Sequence, residues 1–238
     1  MISLLMTARK DSKFMAKFIM TYLVHTRHLE EVELLIMTPR GEWNKELFAF
    51  LSKYKIPNPI ILAEDNGDLG RGSSHLFYEL LGKEAKGDWL WYVCDDHYLF
   101  DGYDEYISNY IKEYQLDSKK INIIVPMVSN SGRISHILSR KYFNTVGVAQ
   151  HGNVDSYINN TLEYLEVFIG KEEVEKIEHF PPEPIMSDFS QDKDIMNPVN
   201  APAQDLVYEA KKFKSQDNKN KIKEDAEKIY KAIKEEHL

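Results

Sequence analysis

Residues 89–97 read Trp89-Leu90-Trp91-Tyr92-Val93-Cys94-Asp95-Asp96-His97, an apolar and aromatic run that stops abruptly at two acids and an imidazole. The run is short and rich in residues that suit a pleated, buried surface, so it predicts a strand over Trp89 to Val93. Alternation puts Trp89, Trp91 and Val93 on one sheet face and Leu90 and Tyr92 on the other, which makes most of these rings core. Tyr98 and Tyr103, past the strand end, are the aromatic residues left to face a ligand. Two adjacent carboxylates at a strand end repel each other, and that costs free energy unless something takes up their charge. The same spacing also suits a solvated turn in which Asp95 and Asp96 cap the next segment.

On either side of this run, short apolar stretches alternate with stretches of helical period about every thirty residues, the length of a strand–helix unit. Strands are expected at Ile2 to Met6, Val32 to Met37 and Ile60 to Ala63. Helices are expected at about Ser12 to His25, Trp43 to Lys53 and Ser73 to Lys86. This is an α/β fold with a mostly parallel central sheet, Rossmann-like, flanked by helices. Beyond residue 102 come a helix near Tyr103 to Tyr114, a strand Ile121 to Val128, a helix Asp155 to Ile169 and a strand Val174 to Phe180. Pro181, Pro182 and Pro184 then break the chain. The expected division is a core domain over 1–180, with a nucleotide-binding half over 1–101 and an acceptor half over 102–180, and an irregular and helical C-terminal extension over 181–238. In that extension Asn218 to Leu238 carries Ile222, Ala226, Ile229, Tyr230 and Ile233 at helical spacing. A dimer contact, a membrane-surface contact and a lid all suit such a helix.

The composition narrows the class. With 238 residues, 43% of them hydrophobic, the chain can fill one core. A formal charge of −8 excludes a protein that holds nucleic acid by neutralising phosphates. One cysteine excludes an internal disulfide. The apolar run before Arg9 is too short for a signal peptide, and no stretch reaches the ~18 apolar residues of a membrane span. The expectation is a cytoplasmic protein whose membrane contact is at most peripheral.

Ligands of α/β sheets bind where the strands end. A hard divalent ion bridging Asp95-Asp96 to diphosphate oxygens would relieve the repulsion there. The loop Glu64-Asp65-Asn66-Gly67-Asp68-Leu69-Gly70-Arg71-Gly72 lies between a strand and a helix, where glycines let the backbone approach a ligand and Arg71 could meet a phosphate. Glycine-rich turns also serve simply to tighten such connections. Thr7-Ala8-Arg9-Lys10, at the end of the first strand, offers a short polar residue and a base for a nucleobase and ribose.

Taken in order, Thr7-Ala8-Arg9, Asn66-Gly67, Gly87-Asp88 and Asp95-Asp96-His97 resemble the motifs of family-two-type glycosyltransferases with the GT-A fold, over roughly residues 1–180. The resemblance implies a single GT-A-like domain that moves a sugar from a nucleoside-diphosphate-sugar, UDP- or GDP-linked, to a glycan or other hydroxyl acceptor, with inversion. It implies that Thr7, Arg9, Asn66, Gly67, Arg71 and Asp95 bind the donor. It further implies that Asp96 and His97, joined by the later His179, hold manganese or magnesium. His97 stands where the family usually has Asp, and imidazole is an acceptable manganese ligand. A carboxylate at a helix start would act as general base on the acceptor, here Asp155 in His151-Gly152-Asn153-Val154-Asp155. Asp155 also fits a plain helix cap, and His136 and His151, like His179, fit structural roles. Where many relatives have an acidic turn after the second strand, this chain has Thr38-Pro39-Arg40-Gly41-Glu42.

Three other readings compete. A binding module on the same sheet would recognise a nucleotide-sugar, glycan or protein without chemistry. A nucleotidyltransferase, and less favourably a dinucleotide oxidoreductase, would need glycines at the first turn, and Thr7-Ala8-Arg9-Lys10 lacks them.

Overall fold

Described in the structure, a computed structural model, are residues 1–7, 13–38, 59–63, 74–94, 97–129, 132–147, 154–188 and 216–236. From the N-terminus the elements are β1 (Ile2–Thr7), α1 (Lys13–His25), β2 (Val32–Thr38), β3 (Pro59–Ala63), α2 (Ser74–Glu84) and β4 (Trp89–Cys94). There follow β5 (His97–Leu99), α3 (Tyr103–Glu113), β6 (Ile123–Ile124), β7 (Met127–Ser129), β8 (Gly132–Ile134), β9 (Ile137–Ser139) and α4 (Arg140–Val146). The rest are α5 (Val154–Ile169), α6 (Lys171–Glu175), β10 (Glu178–His179), β11 (Met186–Asp188) and α7 (Gln216–Glu236). The expected helix at Trp43 to Lys53 and the loop Glu64 to Gly72 lie outside the described residues.

Seven strands form one sheet in the order β10-β6-β9-β4-β1-β2-β3. β1 runs parallel to β2 and β4, β2 to β3, and β10 to β6, while β9 is antiparallel to both β4 and β6. The α/β architecture read from the sequence is the one observed. Each strand of the β1-β2-β4 core is apolar on both faces because helices cover both. On one face Trp89, Trp91 and Val93 pack with Phe18, Ile19 and Tyr22 of α1 and with Tyr103 and Ile107 of α3. On the other, Leu90 and Tyr92 pack with Tyr78 and Leu81 of α2, Tyr142 of α4 and Leu162 of α5. Each large apolar side chain so buried stabilises the fold by about 1.5–3 kcal/mol relative to leaving it in water.

Two expected strands come out differently. Ile121 to Val128 does not run through: β6 stops at Ile124 and β7 begins at Met127, pairing with β8 in a separate two-stranded sheet. Pro126 lies between them and has no N–H to continue the ladder. Val174 to Phe180 is likewise mostly not a strand. Lys171-Glu172-Glu173-Val174-Glu175 is a helical turn with Glu172 and Glu173 in its first turn, where they complement the helix dipole, and only Glu178–His179 is extended.

The chain beyond the prolines returns to the body twice. β11 pairs antiparallel with β5, and α7 lays its apolar stripe against α4 and α5. Ile222, Ala226 and Ile229 are buried in the same cluster as Leu90. Asp225, fully buried on α7, accepts a hydrogen bond from the Tyr157 hydroxyl of α5 at 2.8 Å and from Lys228 Nζ at 2.9 Å. The stripe read from the sequence is therefore occupied by the chain's own helices.

Candidate functional site

The sheet order reverses beside β1: from β1 the chain moves outward to β2 and β3, then crosses back to β4 on the other side of β1. Strands flanking such a reversal leave a crevice beyond their C-terminal ends. Here those ends are Thr7 and Cys94, which pair directly, with Thr7 also opposite Met37. Thr7 is half-buried. Asp95 and Asp96 follow Cys94 immediately.

The end of β4 is held from several directions. Tyr78 of α2 donates its hydroxyl to the Val93 carbonyl at 2.8 Å. Ser135, buried and in the left-handed region at φ +58°, accepts the Trp91 indole N–H at 2.7 Å and donates to the Tyr92 carbonyl at 2.6 Å. The Tyr92 N–H donates to the His136 carbonyl at 3.1 Å. His136, fully buried, places Nε2 3.2 Å from Asn159 Oδ1 on α5. Burial also keeps the Tyr92 hydroxyl in its neutral form: its pKa is raised well above the usual value by desolvation, with Tyr142 adding to the effect and Arg140 opposing it.

Of the residues the sequence singled out, Arg9, Asn66, Gly67, Arg71, Asp95 and Asp96 lie outside the described residues. Asp155 sits in the first turn of α5, one helical turn before Asn159 and so on the same helix face. Asn159 itself meets His136, the residue before β9, whose neighbour is β4. His97 opens β5 and is buried, and Nδ1 of its ring accepts the Cys94 backbone N–H at 3.1 Å. Asp188 stands directly across from it in the β5–β11 pair.

His179 is elsewhere. It pairs with Ile124, which faces Ile137, which faces Trp91. It is thus three strand spacings, about 14 Å, from β4, and level with the strand's middle rather than its end. Its Nε2 lies 3.0 Å from Asn122 Oδ1, while Asn122 donates its amide N–H to the Asp117 carbonyl at 2.8 Å, which fixes Oδ1 toward the ring. Burial lowers the His179 pKa. The structure does not bring His179 to His97. Tyr103 is also displaced from its expected role: it is 1% exposed, hydrogen-bonded to Thr26 and edge-on to Trp91, so it is core and not a ligand contact. Tyr98 is half-buried, its hydroxyl 3.4 Å from His25 Nε2. Gly87-Asp88 lies at the start of β4, the opposite end from the acids, where the buried Gly87 donates its N–H to Ser3 Oγ at 2.9 Å.

Sequence reasoning missed Tyr78, Ser135, Asn159 and Asp188. The signal for Asp188 was the apolar Ile185-Met186 after the prolines, both buried here; the others had none. As for a cation, the described residues hold no cluster of three or more ligating side chains. Carboxylate oxygens at Asp95 and Asp96 have the hard-donor chemistry that manganese or magnesium takes. Of the two histidines expected to join them, His97 has its Nδ1 on the Cys94 N–H and His179 lies three strands away from β4.

No protein-family model matches the chain, and no curated protein matches it in sequence. Solved structures do. The chain is similar to mannosyltransferase PcManGT from Pyrobaculum calidifontis, in complex with GDP-Man and Mn2+, at 11% identity and a TM-score of 0.61, over 96% of this chain and 69% of that one. It is similar to S. aureus TarS 1-349 in complex with UDP at 11% identity and a TM-score of 0.53, over 67% of this chain and 54% of that one. The likeness is one of fold. The chain spans about half the length of that TarS segment, and 22% of the longer TarS chain it also matches. No described helix is long and apolar enough to cross a membrane.

Proposed function

We propose that this chain is a glycosyltransferase that moves a sugar from a UDP- or GDP-linked donor to a hydroxyl acceptor, a glycan or another alcohol, with inversion at the anomeric carbon. One observation carries the reading: Thr7 and Cys94 are paired at the reversal of a GT-A-like sheet, and Asp95 and Asp96 follow Cys94 in the sequence. The two solved structures that share the fold, one with GDP-Man and Mn2+ and one with UDP, support the ligand class.

In this reading Thr7 and Arg9 face the base and ribose, the Asn66-Gly67 turn lets backbone approach the donor, and Arg71 meets the diphosphate. Asp95 contacts the ribose or sugar. Asp96, with Asp95, would hold a divalent cation, manganese or magnesium, which would supply positive charge to the leaving diphosphate. The acceptor oxygen forms its bond to the anomeric carbon as the bond to the diphosphate oxygen breaks, and Asp155 takes the acceptor proton. Residues 1–101 serve the donor and 102–180 the acceptor, and the protein works in the cytoplasm.

The test is nucleoside diphosphate release from a panel of UDP- and GDP-sugars with simple glycan acceptors. Loss of a general base costs about 10²–10⁴-fold, so Asp155→Asn is expected to lower kcat by that order with donor affinity kept. Donor binding without product from any acceptor would replace catalysis by a binding module. An Asp155→Asn variant as active as wild type would remove Asp155 from the mechanism.

A further inference from the structure

Between the end of β4 and the start of β5, the Cys94 backbone N–H donates to His97 Nδ1, 3.1 Å away. A backbone N–H can only donate, so Nδ1 is the acceptor and its lone pair is committed. A neutral imidazole whose Nδ1 accepts carries its hydrogen on Nε2. Neither nitrogen then has a lone pair to offer a cation. Metal-bound histidines show the opposite arrangement: the nitrogen away from the metal donates its N–H to a carbonyl or carboxylate. The ring has little room to turn over, since His97 is 4% exposed and its strand is zipped to β11 through His97–Asp188, Tyr98–Ser187 and Leu99–Met186.

We infer that His97 is a positioning residue and not a cation ligand: by taking the Cys94 N–H it ties the end of β4 to the start of β5, the two described positions that flank Asp95 and Asp96 in the sequence. The consequence of that tie for donor binding rests on the function proposed above, whereas the Cys94–His97 bond itself does not.

The test begins with the full chain, 15N-labelled and free of ligand. Long-range 1H–15N correlation of the histidine rings, with His97 assigned by its disappearance in His97→Asn, is expected to show the Nε2–H tautomer. The spectrum is expected to stay so when Mg2+ and UDP or GDP are added. An Nδ1–H tautomer, or loss of the Nε2 proton on adding Mg2+, would overturn the inference. A second readout is Mn2+ affinity by electron paramagnetic resonance. His97→Asn keeps an acceptor for the Cys94 N–H and is expected to bind Mn2+ within about threefold of wild type. Loss of an outer-shell partner costs about 10–100-fold, so His97→Ala, which leaves the Cys94 N–H without this acceptor, is expected to lose affinity by that order, and an equal loss in His97→Asn would refute the positioning role. If wild type binds no Mn2+, the cation part of the proposed function fails while the tautomer spectrum still decides on His97.

Discussion

Replacing Ser135 by Ala removes one hydroxyl that serves two groups of β4. The Trp91 indole N–H, in a side chain with 0% exposure, loses its acceptor at 2.7 Å, and the Tyr92 carbonyl loses a donor at 2.6 Å. A buried donor left unsatisfied costs about 1–3 kcal/mol and a lost ordinary hydrogen bond about 1 kcal/mol, so the variant is expected to lose about 3 kcal/mol. The left-handed backbone at 135 does not enter this figure, because Ser and Ala are strained alike at φ +58°. For a chain of this size that loss lowers the thermal midpoint by about 6–12 °C. Urea unfolding followed by tryptophan fluorescence measures it. Trp91→Phe supplies the control: on that background Ser135→Ala is expected to cost only about 1 kcal/mol, a coupling of about 2 kcal/mol. A Ser135→Ala variant within about 0.5 kcal/mol of wild type, or costs that simply add, would refute the reasoning that this hydroxyl secures the end of β4.

Three further expectations come from the same physics. A Cβ at Gly87 would stand 2.4 Å from Ser3 Oγ and 2.8 Å from Ser3 N, and the β1 backbone cannot yield, so Gly87→Ala is expected to cost about 2–3 kcal/mol in denaturant titration; an unchanged midpoint would contradict the packing described. Asp225→Ala deprives the Tyr157 hydroxyl of its acceptor and is expected to lower stability by about 2 kcal/mol, with faster amide exchange concentrated in 216–236; unchanged exchange there would mean that α7 is held by its apolar stripe alone. Burial lowers the His179 pKa, so the folded chain takes up that proton less readily than the unfolded one. The stabilisation is then fully present above the unfolded value of about 6.5 and is lost as pH falls through the folded value. Urea midpoints at pH 7.5 and 5 are expected to converge in His179→Gln relative to wild type, and an equal fall in both proteins would contradict this.

The elements that the sequence disclosed are those whose pattern is local. Trp89 to Val93 announced β4 and both of its faces, and Ile222, Ala226 and Ile229 announced the buried stripe of α7. What failed was what depends on single residues or on order in space. Pro126 divided a run whose hydropathy is continuous, and the helix Lys171–Glu175, with its three acids, took the start of the strand expected over Val174 to Phe180 and left only Glu178–His179 extended. For the site, the pairing of Thr7 with Cys94 follows once β1 and β4 are adjacent parallel strands. The remoteness of His179 was not legible, because succession along the chain does not say that β9 and β6 intervene between β10 and β4. Nor was the direction of the bond at His97 Nδ1, which exists only in three dimensions.

Whether a nucleotide occupies the crevice between β1 and β4 is decided most directly by thermal unfolding of wild type and Asp96→Ala with UDP, GDP and CDP, each with Mn2+, Mg2+ or a chelator. Ligand at about a hundred times its dissociation constant stabilises the native state by about 2.7 kcal/mol. The expected result is a rise of about 5–10 °C for one nucleotide, dependent on the cation and lost in Asp96→Ala. No rise with any nucleotide, or a rise indifferent to both the cation and Asp96, would contradict a donor site at the end of β4.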